Sequence, residues 1–302
     1  MRAPHRRAML LPTFAFAFLL LSSGITYLEY NRNSAARRAS METPRLAVSG
    51  GLTATEVGAT GNPSTAPLKW SGLLVIHDVE QEGKRSNMSC TAQFIAPRVI
   101  LTAAHCVQDY KTGVWYDLND MYFLLQYQNG QYSQLYRPVC LSRFDGWFPV
   151  PSGKQSAAEI ALAFADRFQW DYAMILLDHD STTGYFNWDV DWSGKYQNAT
   201  MTGYPLAVLN GQIIQIVDGV LHFASDRHNV VELVHTERTN IAQGASGGAW
   251  VANFSKEEAA NHNSVLSVSS YLLSRSPGTS FGPYLTADYR KLLDHVSRGC
   301  PH

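Results

Sequence analysis

Short apolar stretches separated by turn residues run along most of this chain, and their spacing predicts strands rather than helices. Strands are expected at 71–76, 91–96 and 99–102, the last two joined by a Pro97-Arg98 turn. Two more, at 121–127 and 132–140, flank Asn129-Gly130, a strong hairpin signal. The segment 141–170 is irregular, with Pro149, Pro151 and Gly153, and its apolar-periodic part at 157–168 fits a short helix. Strands resume at 173–177, 198–204, 212–220, 229–235, 249–252 and 264–272. At the end, Tyr289, Leu292, Leu293 and Val296 fall at helical spacing within 287–296. The pattern indicates an all-β fold, a barrel or a sandwich, closed by one helix; periodicity does not separate the two.

The first residues break this pattern. Arg2, Arg6 and Arg7 precede an apolar run from Met9 to Leu21, and Ser22, Ser23 and Gly24 follow, the layout of a secretory signal. Ile25, Tyr27 and Leu28 extend the run enough that an uncleaved anchor is the alternative reading of 1–28. Residues 29–66 are polar and rich in glycine and proline, a composition that buries too little apolar area to order itself, so they read as a propeptide or flexible linker. That leaves 67–302 as one domain, consistent with a length of 302 residues and 45% hydrophobic content. A net charge of −1 with no basic run beyond the N-terminus argues against a nucleic-acid partner. Four cysteines, Cys90, Cys106, Cys140 and Cys300, in an exported chain suggest two disulfides with three possible pairings.

Three motifs carry chemistry: Thr102-Ala103-Ala104-His105-Cys106, Asp171 followed by the apolar run 172–177, and Gly244-Ala245-Ser246-Gly247-Gly248. A serine hydroxyl is a poor nucleophile at neutral pH and needs a base to take its proton and a group to orient that base. The order His, Asp, Ser and the motif sequences resemble the trypsin/chymotrypsin-like serine peptidases, in particular the secreted bacterial branch near the glutamyl endopeptidases. The resemblance implies two six-stranded antiparallel Greek-key barrels at about 67–180 and 195–285, with a C-terminal helix at about 286–297. It implies His105 as general base, Asp171 as its orienter in preference to Asp166 or Asp178, and Ser246 as nucleophile, with the amides of Gly244 and Ser246 forming an oxyanion hole. It also implies a Cys90–Cys106 disulfide closing the histidine loop, which leaves Cys140 and Cys300 for each other.

The chain departs from the trypsin pattern in informative places. Ala245 stands where trypsin-type chains carry the aspartate that receives a freed N-terminal ammonium, so the pocket is expected to form without N-terminal insertion. Asn240, a neutral amide, occupies the place of the pocket base, which argues against selection of Arg or Lys. The pocket wall is expected from Ser267, Ser269 and Tyr271, with no histidine among them. Neither a His-Glu-x-x-His nor a Pro-Cys-x-x-Cys motif occurs, so no metal site and no cofactor is expected. The reading is an exported serine endopeptidase, secreted or periplasmic, probing polypeptide substrates as a monomer and touching membrane only if 1–28 stays attached. A catalytically silent binding protein on the same fold and a membrane-tethered processing protease are the alternatives.

Overall fold

The structure is a computed structural model that describes residues 59–81, 84–147, 166–225, 227–235, 243–258, 262–272 and 278–301. The expected signal at 1–28, most of the expected linker, most of the expected helix at 157–168, and Asn240 lie outside the described residues. Sixteen strands and a C-terminal helix are described. The short β1 (Ala59–Thr60) is followed by β2 (Ser71–Gln81), β3 (Lys84–Ala96), β4 (Val99–Thr102), β5 (Met121–Leu125), β6 (Gln134–Tyr136), β7 (Pro138–Arg143) and β8 (Ala173–Leu177). After β9 (Asn187–Trp188) come β10 (Asn198–Gly203), β11 (Gln215–Phe223), β12 (Val230–His235), β13 (Ala249–Ala252), β14 (Ser264–Val268), β15 (Tyr271–Leu272) and β16 (Thr279–Pro283), then helix α1 (Asp288–Ser297).

The strands form two sheets. The first runs β6-β5-β2-β3-β4-β8-β7. Its two ends, β6 and β7, are separated in sequence only by Arg137, so one bent strand pairs with β5 at one end and with β8 at the other and brings the sheet round on itself. The second sheet does the same: β14 pairs with β13, β15 pairs with β16, and only Ser269 and Ser270 lie between them. Each ring thus has six strands once the bent one is counted once, as expected of the chymotrypsin-like two-barrel fold. Two short additions, β1 against β11 and β9 parallel to β14, extend the second sheet. Ala59 and Thr60, near the end of the expected linker, pair with Ile216 and Gln215 of the second barrel, and Gly61 N donates to Ile214 O at 2.9 Å.

Side-chain alternation explains how the rings stack. On β8, Ala173, Ile175 and Leu177 join the core of the first barrel, while Met174 and Leu176 join a second cluster with Val251 and Val265 of the other barrel. On β13, Val251 joins that shared cluster and Trp250 points into the second barrel's own core. Strands buried on both faces read as unbroken apolar runs, which is the sequence seen at 173–177 and 249–252. Helix α1 lays Tyr289, Leu292 and Val296 on the same shared cluster. Both disulfides are formed, Cys90–Cys106 inside the first barrel and Cys140–Cys300 between β7 and the residues just after α1.

Three strands were not expected: the two-residue β1 and β9, and β16, which contains Gly282 and Pro283, residues that normally interrupt a strand. A Cβ on Gly282 would meet Ser267 Oγ at 2.3 Å and Val268 O at 2.4 Å, so close packing against β14 requires glycine here. At the expected hairpin, Asn129 and Gly130 have φ of 50° and 80°, the left-handed pair a tight two-residue turn needs.

Candidate active site

Antiparallel pairing brings the first two motifs together. β4 and β8 pair with Thr102 opposite Ala173, so the chain leaving β4 and the chain entering β8 emerge side by side. His105 lies in the tight turn Ala104–Cys106 just past β4, and Asp171 sits just before β8. Ala103 and Ala104 are fully buried, and the Cys90–Cys106 disulfide ties the turn back to β3. The result is a direct contact: His105 Nδ1 lies 2.8 Å from Asp171 Oδ2, and the His105 backbone N–H donates to Asp171 Oδ1 at 3.0 Å.

Asp171 is fully buried and accepts a third bond, from the Ser270 hydroxyl. Burial pushes its carboxyl upward, but the charge and hydrogen bonds of His105 and the Ser270 hydroxyl outweigh that, and the carboxyl is held below the usual carboxylate range. An ionised carboxylate can only accept, so the imidazole carries a proton on Nδ1 and its Nε2 is left to act as acceptor whenever the ring is neutral. The rival acids are elsewhere: Asp178 accepts from Arg137 N and pairs with His179 at the far end of β8, and Asp166 is exposed.

Ser246 arrives by the same device in the second barrel. Its loop precedes β13, and β13 pairs with β14 so that Ala249 faces Val268. The loop therefore meets the bend after β14: Gly247 N donates to Ser269 O at 2.8 Å and Ser269 N to Gly248 O at 2.9 Å. Ser246, Ser269, Ser270 and Tyr271 line one pocket with Gln243, Ala245, Leu272 and Ser280. Ser270 thus faces the Ser246 pocket while its hydroxyl reaches Asp171. Gly247 seats the loop against the His105 side: a Cβ there would meet Thr102 Oγ1 at 2.2 Å and Ala103 N at 2.8 Å.

The other expected site residues divide. Ser269 and Tyr271 line the pocket, although Ser269 Oγ also accepts from the Trp250 indole at 3.0 Å. Ser267 does not: it is buried beneath the wall, and its hydroxyl donates to Pro283 O at 2.7 Å. It lies inside β14, every residue of which is buried, and is no part of this pocket's lining. Gly244 takes φ of 87°, a conformation that favours glycine. Among the described residues, the N–H groups of Gly244 and Ser246 donate to no protein acceptor. Ser270 falls within the expected wall stretch 267–271, but its bond to Asp171, and the place of Ser280 in the pocket, were missed by sequence reasoning. Behind Ser280, the buried His235 places Nε2 2.8 Å from its hydroxyl. Cys90, His105 and Cys106 offer donor atoms within 4.8 Å of one another, but both sulfurs are consumed by the disulfide and are not thiolates.

No family profile matches this sequence, and no curated protein does. Solved structures do match in shape. Protease Anisep from Arthrobacter nicotinovorans superposes with a TM-score of 0.58 at 18% identity, covering 80% of this chain and 100% of that one. A thermostable serine protease, AL20, from an extremophilic microorganism gives 0.57 at 20% identity, covering 76% and 97%. A Glu endopeptidase in complex with MPD gives 0.56 at 18% identity, covering 80% and 98%. The chain shares the trypsin/chymotrypsin-like fold with these serine proteases.

Proposed function

We propose that this protein is an exported serine endopeptidase working through Ser246, His105 and Asp171. The observation that carries the reading is the contact between His105 Nδ1 and the buried, ionised Asp171, beside the pocket that Ser246 lines. His105 Nε2 takes the proton of Ser246 Oγ as that oxygen attacks a peptide carbonyl. Asp171 keeps the ring in the correct tautomer and stabilises the imidazolium that forms. The N–H groups of Gly244 and Ser246 receive the developing oxyanion. The imidazolium then protonates the leaving amine, and water repeats the sequence on the acyl-enzyme, with no cofactor.

Polypeptides are the substrate class. Among the described residues the wall is neutral, rich in hydroxyls and without a carboxylate to hold an Arg or Lys side chain, in line with the neutral Asn240 that the resemblance implies for the pocket base. Two disulfides support an oxidising compartment, and the layout of 1–28 supports export. Treatment of the exported protein with a fluorophosphonate probe tests the reading. Labelling that is abolished by Ser246→Ala is the expected result. Folded protein that takes up no probe would overturn the enzyme and favour a silent binding protein of the same fold. N-terminal sequencing of that sample distinguishes a secreted from a membrane-tethered form.

A further inference from the structure

The loop bearing Ser246 is fixed by its carbonyls, five in a row. Gln243 O accepts from Leu206 N at 2.7 Å, Gly244 O from Thr91 Oγ1 at 2.9 Å, and Ala245 O from Gly248 N at 2.9 Å. Ser246 O accepts from Thr91 N at 2.7 Å and Gly247 O from Gln93 Nε2 at 3.0 Å. Three of these bonds come from two fully buried residues of β3, in the opposite barrel. The Thr91 hydroxyl also accepts from Tyr204 N at 2.9 Å, and Gln93 Nε2 also donates to Leu101 O at 3.0 Å. Among the described residues Gln93 Oε1 is buried with no partner, so this side chain is placed for its two N–H donors.

A peptide unit is planar, and its N–H points opposite to its C=O. Holding the carbonyls of Gln243 and Ala245 therefore directs the N–H groups of Gly244 and Ser246 the other way, where they donate to no described acceptor. The ties from Thr91 and Gln93 fix the intervening and following peptide units. Such ties matter here because Gly244 and Gly247, with φ of 87° and 80°, leave the loop many alternative shapes. No carboxylate can anchor it from position 245 either: Ala245 is buried against Gly203, whose added Cβ would sit 3.1 Å from the Ala245 Cβ.

We infer that Thr91 and Gln93 are positioning residues that hold the 244–248 loop with its amides presented before substrate arrives, so that the oxyanion site needs no activation step. This rests on the reading of Ser246 as nucleophile. The test compares the full chain with Thr91→Val, which keeps the shape but removes the hydroxyl, and Thr91→Ser, which restores it. Two quantities are measured: the limiting rate and the half-saturating concentration of inactivation by a fluorophosphonate, and hydrogen exchange at the amides of Gly247 and Gly248. Thr91→Val is expected to lower the limiting rate about 10–100-fold, with the half-saturating concentration within about twofold and faster exchange in the loop. Thr91→Ser is expected to stay near the parent in both.

A folded Thr91→Val that keeps the parental rate and the parental exchange overturns the inference. If the parent itself takes up no probe, the proposed function fails, and exchange alone decides: faster exchange in Thr91→Val sustains the clamp, unchanged exchange removes it. Should Thr91→Val lose its near-ultraviolet circular dichroism, Gln93→Met, which removes the tie to Gly247 O and leaves both Thr91 ties in place, is read by the same two measurements with the same outcomes.

Discussion

Asp171 is the residue on which the site's electrostatics turn. A carboxylate with no solvent exposure survives ionised only because three donors converge on it, two from His105 and one from Ser270. Replacing it with Asn leaves the shape but offers an N–H where the imidazole needs an acceptor, which favours the wrong tautomer. Asp171→Asn is expected to lower turnover about 10⁴-fold with the fold intact, checked by active-site-titrated kinetics beside circular dichroism. A second consequence concerns acid. The folded-state carboxyl lies below its unfolded value near 3.9, so the unfolded chain binds more protons in that window and stability rises with pH across it. The contribution is complete above about pH 4 and is lost as pH falls through the depressed folded value. Urea midpoints measured from pH 5 downward should therefore fall less steeply for Asp171→Asn than for the parent; equal slopes would contradict the assignment.

At the scale of elements, the strands that position the site are the ones most visible in the sequence. β4, β8 and β13 were expected at the residues where they occur, because each is an unbroken apolar run buried on both faces. The two-residue β1 and β9 carry no periodicity to detect, and β16 carries contrary signals in Gly282 and Pro283. The glycine there answers a packing need that only the neighbouring strand creates. Gly282→Ala is expected to cost about 1–3 kcal/mol of stability through overpacking against Ser267 and Val268, read as a lower urea midpoint at unchanged slope. A parental midpoint would show that β14 yields without cost. Ser267 was assigned by position along the wall, whereas β14 is buried along its whole length and only the residues after it reach the pocket.

Across the whole molecule, the site exists because two barrels close against each other. The apolar cluster shared by β4, β8, β13, β14 and α1 holds them, and the Cys140–Cys300 disulfide fastens the end of α1 to β7. That bridge spans 160 residues, and removing so long a cross-link frees much unfolded-state entropy. The double variant Cys140→Ser/Cys300→Ser is expected to lose about 2–5 kcal/mol in equilibrium unfolding while still folding at low temperature. If its stability matches the parent, the helix is held by Tyr289, Leu292 and Val296 alone.

The sequence by itself determined the strand-rich class, the closing helix and the three motifs, because apolar period and short glycine- or alanine-flanked signatures are local properties of the chain. It determined the order His105, Asp171, Ser246, and it showed through Ala245 that a charged anchor is missing. Only the tertiary structure decided that Ser270 joins Asp171, that Ser267 turns inward, and that Thr91 and Gln93 reach across to the Ser246 loop. Those relations depend on strand register and on the closure of one barrel against another, which bring together residues more than a hundred and fifty positions apart between Thr91 and Gly244. No local pattern records such a meeting, since a buried threonine or glutamine on a strand has the same appearance in sequence whether its polar atoms serve a neighbour or the opposite barrel.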